Sequence, residues 1–308
     1  MSLETDLLLD RRRLSRRLVF WRVFAVVAVV AALLAGLRDV GLPATGAHVA
    51  RVTIKGLITQ DRKLTQAIDD LADDNATKAL IVVINSPGGS VAGGESLHNA
   101  IARVAAKKPV VVSMQGLAAS AGYMIAVPAQ RIFAHEATLT GSIGVLLETG
   151  EISGLLGKLG IDAEVIRSGP LKDEPSLVRP LSPQGRDVMQ GLVNDLYDQF
   201  VTMVAAGRHM DVDKVKALAD GRAYTGRQAL KLGLVDAIGG ERDARQWLAT
   251  ARKVPRSLPV KDVDEQTGLA SRALIGELAP MLQGVWKTLI SQSLILDGPL
   301  ALWQRSSN

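Results

Sequence analysis

The sequence predicts a layered α/β fold, and three observations support this prediction. Apolar runs rich in Val and Ile alternate along the chain with segments whose apolar residues recur at helical spacing. The chain is 47% hydrophobic but only 4% aromatic, and it holds 29 glycines, which suits closely packed strands and helices. Repeated strand–helix–strand order requires parallel crossovers, which cover a sheet with helices.

The first half of the chain contains the predicted strands. HVARVTIKGLI and KALIVVIN begin the series, and the second is apolar almost throughout, as expected for a strand buried on both faces. PVVVSMQG and RIFAHE follow, and SIGVLLE and AEVIRSG are further candidates. The predicted strands are therefore 48–58, 78–85, 109–116, 131–136, 142–148 and 163–169.

Helices lie between these strands and dominate after residue 182. Leu64, Ile68 and Leu71 share one face of the first helix. Ser90 is a candidate N-cap of the second helix, and Ser182, followed by Pro183, is a candidate N-cap of the third. The predicted helices cover 61–74, 90–108, 182–208, 211–220, part of 221–240, and 240–252.

An apolar segment near the N-terminus predicts a membrane anchor. Residues 23–37 carry no charge, and the span extends to residue 18 if Arg22 reaches toward the headgroups. Seven arginines and four acidic residues lie within 1–39, so the positive-inside rule leaves the N-terminus in the cytoplasm. A cleaved secretory signal and a buried core helix are the alternative interpretations.

The composition excludes several classes of site. The chain has no cysteine, so disulfides, thiolate metal sites and a cysteine nucleophile are excluded. Beyond residue 39 there are 29 basic and 27 acidic residues, a balance that argues against a nucleic-acid surface. Paired histidines and carboxylate clusters of the kind that bind metals are missing from the sequence, and we expect no cofactor.

These features divide the chain into five predicted segments. They are a basic cytoplasmic segment (1–22), the anchor (23–37), a Gly/Pro/Ala linker (38–47), a globular domain (48–255) and an amphipathic tail (256–308). The sequence holds no internal repeat, so we expect one globular domain and not a tandem duplication. The apolar stripe of the tail predicts a helix that docks on the domain or a neighbouring subunit, or a segment at the membrane surface.

A serine without an obvious partner is the main candidate for chemistry. Ser120 lies in LAASAGYM, between an apolar strand and a segment that can open a helix. Small residues on both sides suit an exposed nucleophile in a tight strand-to-helix turn. A serine nucleophile needs a base to take its proton. Of the four histidines only His135, at a strand end, is a plausible base.

The glycines of NSPGGSVAGG are a second candidate feature. Gly88 and Gly89 follow a buried strand and precede a helix, so their backbone N–H groups can bind an anion or oxyanion. The N–H of Ala121, directly after Ser120, is the natural second donor. Read alone, the segment has a plain strand-to-helix turn as its alternative interpretation. It lacks the Gly-Lys-Ser/Thr end of a phosphate-binding loop.

Two further residues are candidates for supporting roles. Lys172 lies between two prolines in RSGPLKDEPS, and a lysine acts as a general base only where burial lowers the pKa of its amine. Asp173 and Glu174 should then point away from that amine. Ser142, in LTGSIGV, could hydrogen-bond a lysine and orient it. Each has a simpler interpretation, as a solvated loop cation and as a turn serine.

Five blocks together resemble signal peptide peptidase A in its short, single-domain form. They are NSPGGSV, QGLAASAGYMIA, ATLTGSIGV, RSGPLKDEPS and GRAYTGRQALKLGLVDAIGG, in that order. The resemblance implies the layered αβ spiral shared with Clp protease and crotonase. It also implies a Ser–Lys dyad in which Ser120 is the nucleophile, Lys172 the general base and Ser142 the residue that orients the lysine. The implied oxyanion hole comprises Gly88 or Gly89 together with Ala121.

The same resemblance implies a function and a location. The family comprises membrane-anchored serine endopeptidases that hydrolyse leftover signal peptides, and its short form assembles as a ring of subunits. We therefore expect peptide substrates, a homo-oligomeric ring in which a neighbouring subunit can supply the lysine, and contact with the lipid bilayer, but no nucleic acid. The expected location is the inner (cytoplasmic) membrane, with a single pass and the catalytic domain on the extracytoplasmic side.

Three other functions stay open at this point. A related anchored peptidase that cuts one membrane-protein partner would carry the same motifs. A crotonase-like acyl-CoA enzyme would share the glycine loop, although the predicted anchor and the lack of an evident basic nucleotide pocket disfavour it. A catalytically silent scaffold is disfavoured because both Ser120 and Lys172 are present.

Overall fold

A mostly parallel sheet forms the centre of the computed structural model, which describes residues 21–22, 24–25 and 46–263. Residues Gly46–Asp264 form one compact unit. The strands are β1 (His48–Ile58), β2 (Thr77–Gly89), β3 (Val110–Ala119), β4 (Arg131–Ala134), β5 (Leu139–Gly141), β6 (Ala223–Thr225), β7 (Ala237–Ile238) and β8 (Val260–Asp262). The helices of this unit are α1 (Arg62–Leu71), α2 (Val91–Lys107), α3 (Ala121–Ala126), α4 (Ser153–Lys158), α5 (Pro183–Arg208), α6 (Val212–Leu218), α7 (Gly226–Leu232) and α8 (Glu241–Arg252).

The strand order confirms the predicted mixed α/β class. The sheet runs β6-β5-β3-β2-β1-β8, while β4 pairs with β3 and β7 pairs with β4. The pairings are parallel except between β5 and β6, which are antiparallel. Helices join β1 to β2, β2 to β3 and β3 to β4, as the alternation in the sequence predicts, whereas β4 and β5 are joined without one.

Helices cover both faces of the sheet. Side chains alternate between the two faces along each strand, and the strands carry buried apolar side chains on both faces. One face forms a large buried cluster with α1, α2, α3 and α5, and the other packs against α8. Strand residues facing the large cluster include Ala50, Val52, Ile54, Leu80, Val82 and Ile84. Those facing α8 include Val49, Ala79, Ile81, Val83, Val111 and Phe133. This burial explains why β2 is apolar almost throughout.

The predicted helix starts are confirmed by their caps. The Ser90 hydroxyl accepts the Gly93 N–H at the start of α2. The Ser182 hydroxyl accepts the Gly185 N–H at the start of α5, where Pro183 occupies the first turn. Each cap binds a backbone donor that the first helical turn leaves unpaired.

Two predicted strands are wrong. Residues 142–148 and 163–169 form neither helix nor strand, and the short helix α4 lies between them. After β5 the chain leaves the sheet, so these apolar runs have no strand beside them in the described residues. Leu146 and Ile166 are 81% and 95% exposed. An apolar run becomes a strand only where a neighbouring strand can bond its backbone groups.

Most of the predicted anchor and tail lies outside the described residues. Within the anchor region only Trp21, Arg22, Phe24 and Ala25 are described, and they are helical. In the ranges that the structure describes, none of the helices has the length and apolar content needed to span a membrane. The tail prediction falls beyond residue 263, apart from the residues around β8.

The candidate residues lie at one end of the strands, and the two ends of the sheet therefore differ. His48 pairs with Thr77 at the amino edge, where β1 begins. At the opposite, carboxyl edge, Gly89 ends β2 and Ala119 ends β3. In parallel sheets ligands bind beyond the carboxyl ends of the strands, and the candidate residues lie there.

Candidate active site

Ser120 occupies the single residue between β3 and α3. Its backbone angles are φ 54° and ψ −122°, a conformation that residues other than glycine rarely adopt. The Ser120 N–H donates to Gly141 O at 2.9 Å, and the Ser120 carbonyl accepts the N–H groups of Tyr123 and Met124. The turn is therefore held from both sides in a strained geometry, as in strand-to-helix turns that expose a nucleophile.

The short helix α3 is fixed to the rest of the domain by a buried polar cluster. The Tyr123 hydroxyl donates to Leu234 O at 2.8 Å, and burial raises the pKa of this tyrosine. Nearby, Arg208 bonds Asp236 at 2.6 Å, and Asp236 also accepts the Ile132 N–H at 2.7 Å. Since these groups are satisfied inside the protein, they fix the position of the helix that follows Ser120.

Gly88 lies directly against the nucleophile. Its φ is +110°, and a Cβ at this position would lie 2.7 Å from Ser120 Cβ and 3.1 Å from Ala121 N. Only glycine fits both the conformation and the space. The Gly88 N–H donates to Ser86 Oγ at 3.1 Å, whereas Gly89 lines the cavity that contains Ser120.

Ala121 contributes a backbone donor beside Ser120. Within the part of the chain that the structure describes, the Ala121 N–H has no hydrogen-bond acceptor. The first N–H groups of a helix have no intrahelical partner. This donor, together with a backbone N–H of the glycine pair, provides the chemistry that an oxyanion requires.

Ser142 lies beside Ser120 through the pairing of β5 with β3. Gly141 is opposite Ala119 in that pairing, so the residues that follow the two strands are neighbours. Ser142 also has a positive φ, 47°, and its N–H donates to Arg222 O at 3.0 Å. It is half-buried and lines the same cavity.

The cavity at this edge has a volume of about 400 Å³. It brings together Ser120, Ser142 and Gly89. The remaining lining residues are Val91, Gly144, Val145, Leu146 and Gly221. A larger cavity of about 590 Å³ lies between α5 and the segments 147–151 and 175–181, and it contains none of the predicted catalytic residues. The geometry at Ser120, and not cavity size, therefore identifies the candidate site.

Lys172 is exposed and does not line the cavity around Ser120. The two acidic residues that follow it, Asp173 and Glu174, contact other parts of the domain. Asp173 bonds Arg179 at 2.8 Å, which lowers the pKa of that carboxyl. The Glu174 carboxylate lies against Gly185 in the first turn of α5, where a Cβ would be 2.7 Å from Oε2. Within this single chain Lys172 is therefore not among the residues that line the cavity around Ser120.

The histidines do not supply an alternative base. His135 is exposed at the end of β4 and does not line the cavity. His98, which its sequence context places on the polar side of α2, is half-buried, and its Nδ1 lies 2.9 Å from Met124 O. Burial lowers the pKa of His98. In the described residues, no group of His, Asp and Glu is arranged to hold a metal ion.

Ser86 is a site residue that the sequence reasoning missed. It is fully buried and accepts the Gly88 N–H. The sequence signal for Ser86 is its position as a polar residue between an apolar strand and a Pro-Gly-Gly segment. The direction of the Ser86 hydroxyl follows from its contacts with the Gly88 backbone, which the sequence alone does not show.

Replacing Gly88 by alanine should displace the Ala121 N–H and so lower kcat/KM by about 10²- to 10³-fold, the range seen when one oxyanion donor is lost. The added methyl group would occupy the space between Ser120 Cβ and Ala121 N. Hydrolysis of an activated ester by the full chain measures the effect. Gly116→Ala is the matched control, because a Cβ there makes only an ordinary contact at 3.8 Å. A folded Gly88→Ala enzyme with near-normal turnover would contradict the assignment of an oxyanion hole beside Ser120.

Comparison with known proteins shows the family of this chain. The family model of peptidase family S49 matches residues 102–255, and the model of Clp protease matches residues 51–139. A protein of Synechocystis sp. named as a protease is 40% identical over 235 residues, which cover 76% of this chain and 85% of that protein.

Two other relatives carry more specific names. A protein of Enterococcus faecium named as signal peptide peptidase SppA is 39% identical over 219 residues, which cover 70% of this chain and 63% of that protein. Protease 4 of Salmonella typhi is 38% identical over 202 residues, which cover 65% of this chain and 32% of that protein. The chain belongs to peptidase family S49 and is a serine peptidase.

Proposed function

We propose that this chain is a membrane-anchored endopeptidase that uses a Ser–Lys dyad to hydrolyse leftover signal peptides and other membrane-associated peptides. The observation that carries the proposal is the strained turn at Ser120, which lies against Gly88 beside the unbonded Ala121 N–H. That arrangement suits acyl transfer, in which a serine attacks a carbonyl whose oxygen becomes negative.

The proposed reaction gives each site residue a defined role in acyl transfer. Ser120 Oγ attacks the carbonyl carbon of the peptide bond while the neutral Lys172 amine takes its proton. The oxygen of the tetrahedral intermediate accepts hydrogen bonds from the backbone N–H groups of Gly89 and Ala121. The Lys172 ammonium then gives the proton to the leaving amine. Water repeats the sequence to release the acyl group, and Ser142 orients the lysine throughout.

Lys172 is proposed to serve the Ser120 of a neighbouring subunit. Its exposure, and its absence from the cavity around Ser120 in the same chain, support this arrangement. A lysine needs a buried environment to act as a base, and the cavity of a second subunit would provide one.

Exposed apolar side chains support assembly into the homo-oligomeric ring. Large patches of this kind are uncommon on monomers and mark interaction surfaces. Those between residues 146 and 192 are Leu146, Leu147, Ile152, Leu155, Leu159, Ile161, Val165, Ile166, Leu177, Val188 and Leu192. This segment includes the Lys172 loop, so an interface formed by it would bring the lysine to another subunit.

The proposed substrates and location rest on further features. The cavity is lined mainly by glycine and by the aliphatic residues Val91, Val145 and Leu146, which favours small or apolar substrate side chains. The uncharged span 23–37 with its arginine-rich flank supports a single-pass anchor in the inner membrane. The peptidase domain would then lie on the extracytoplasmic side.

The test uses the full chain in phospholipid vesicles and a synthetic signal peptide labelled with a fluorophore and a quencher. We expect cleavage within the apolar region of the peptide, with much less cleavage when that region carries charged residues. A variant peptide of equal length with Lys in the apolar region is the control. Failure to cut either peptide while a fluorophosphonate still labels Ser120 would overturn the substrate but keep the nucleophile. Product profiling on membranes would then identify a specific protein partner.

A further inference from the structure

A buried hydroxyl lies directly beneath the glycine pair of the active site. Ser86 is fully buried, and its Oγ accepts the Gly88 N–H at 3.1 Å. Oγ also lies 3.4 Å from Gly88 O, to which it can donate. The hydroxyl therefore contacts both polar groups of the residue that lies against Ser120.

Ser86 is enclosed by the elements that build the site. It pairs with Ala118 of β3, after a shift in the register between β2 and β3. From the other side α3 approaches so closely that a Cβ at Gly122 would lie 3.2 Å from Ser86 O. The hydroxyl thus joins the glycine turn to the framework that holds Ser120.

Such a contact adds to the pairing of Gly88 and Gly89 with Leu57 and Ile58 of β1, because the end of β2 consists of two adjacent glycines. Glycine has the widest choice of backbone conformations, so a Gly-Gly peptide can rotate unless something holds it. A rotated peptide would aim a carbonyl oxygen at the place where the negative oxygen of the intermediate develops. The Ser86 hydroxyl opposes that rotation because it fixes the direction of the Gly88 N–H.

We propose that Ser86 is a positioning residue for the oxyanion hole. By binding the Gly88 N–H inside the domain, it holds the turn so that the Gly89 N–H, with that of Ala121, faces the substrate carbonyl. This assigns Gly89, and not Gly88, as the donor from the glycine pair. The inference rests on the proposed acyl-transfer function of Ser120.

The test compares Ser86→Ala with the wild-type chain on an oxoester and the matching thionoester. Sulfur accepts hydrogen bonds weakly, so an oxyanion hole favours the oxoester, and its loss removes that preference. We expect the oxoester kcat to fall by about 10- to 100-fold, with KM nearly unchanged. The ratio of oxoester to thionoester turnover should fall by a similar factor.

Two variants make the result specific. Ser113→Ala removes another fully buried serine, on β3 and outside the cavity, and should leave the ratio unchanged. Ser86→Cys keeps the shape but offers a weaker acceptor, so its ratio should lie between those of the wild type and Ser86→Ala. Turnover is expressed per fluorophosphonate-reactive site, so any misfolded fraction is left out.

A Ser86→Ala enzyme whose ratio of oxoester to thionoester turnover equals that of the wild type would overturn the inference. This holds whether both turnovers are unchanged or both fall by the same factor. Failure of the underlying function would look different. If Ser120→Ala kept its activity, Ser120 would not be the nucleophile, and the proposed reaction would fail. If Ser120→Ala is inactive but Ser86→Ala leaves the ratio of oxoester to thionoester turnover unchanged, the proposed reaction stands and only the role of Ser86 is wrong.

Discussion

Ser120→Ala should lower peptidase activity by on the order of 10⁴-fold or more, because the attacking oxygen is lost. The fold should persist, since the backbone bonds of Ser120 to Gly141, Tyr123 and Met124 do not use its side chain. Hydrolysis by the full chain in detergent measures activity, and a fluorophosphonate mapped by mass spectrometry identifies the labelled residue. Residual activity of a few per cent in purified Ser120→Ala would contradict its role as the nucleophile.

Ser120→Gly separates chemistry from folding. Glycine adopts the φ of 54° found here without the strain that a side chain causes. We therefore expect this variant to unfold at a temperature equal to or above that of the wild type, while being as inactive as Ser120→Ala. Gly150→Ala, in an open position without neighbours, serves as the control for purification and assay. A drop in unfolding temperature would show that the serine side chain stabilises the turn.

Lys172→Ala should lower activity by about 10²- to 10⁴-fold, the usual contribution of a general base. Since Lys172 is exposed in the single chain, its removal should leave the unfolding temperature unchanged. Lys158, an exposed lysine in α4, provides the matched control as Lys158→Ala. Near-normal turnover of Lys172→Ala would remove it from the mechanism.

Co-expression of Ser120→Ala with Lys172→Ala tests where the lysine comes from. In a ring with random assembly, half of the sites keep Ser120 and half of the neighbours keep Lys172. If each lysine serves the next subunit, the mixture should recover about a quarter of wild-type activity, because the interface is head-to-tail. No recovery in rings verified to contain both variants would place the dyad within one chain.

The core of the fold could be predicted because its pattern is local. KALIVVIN is apolar enough to require burial on both faces, and Ser90 and Ser182 cap the helices expected after them. The runs 142–148 and 163–169 also contain several apolar residues but do not form strands. Hydrophobicity reveals that a segment needs a partner, and it does not reveal whether the partner is a sheet, a helix or another subunit.

The candidate site, like the fold, could be predicted only in part from the sequence. Ser120 and the glycine pair stand out because a nucleophile in a tight turn restricts the size and conformation of nearby residues. Ser86 was missed because its role depends on contacts from β3 and α3, which are far from it in sequence. For Lys172, the sequence supplies the residue type but no information about which cavity the side chain enters.

The parallel pairing of β1 with β2 sets the distance between the start of β1 and the catalytic end of the sheet. Thr77 lies at the amino edge beside the start of β1, and Gly89 lies at the catalytic edge. The 13 residues of β2 span roughly 40 Å at ~3.3 Å per residue. The start of β1 and the cavity around Ser120 are therefore separated by the length of the sheet.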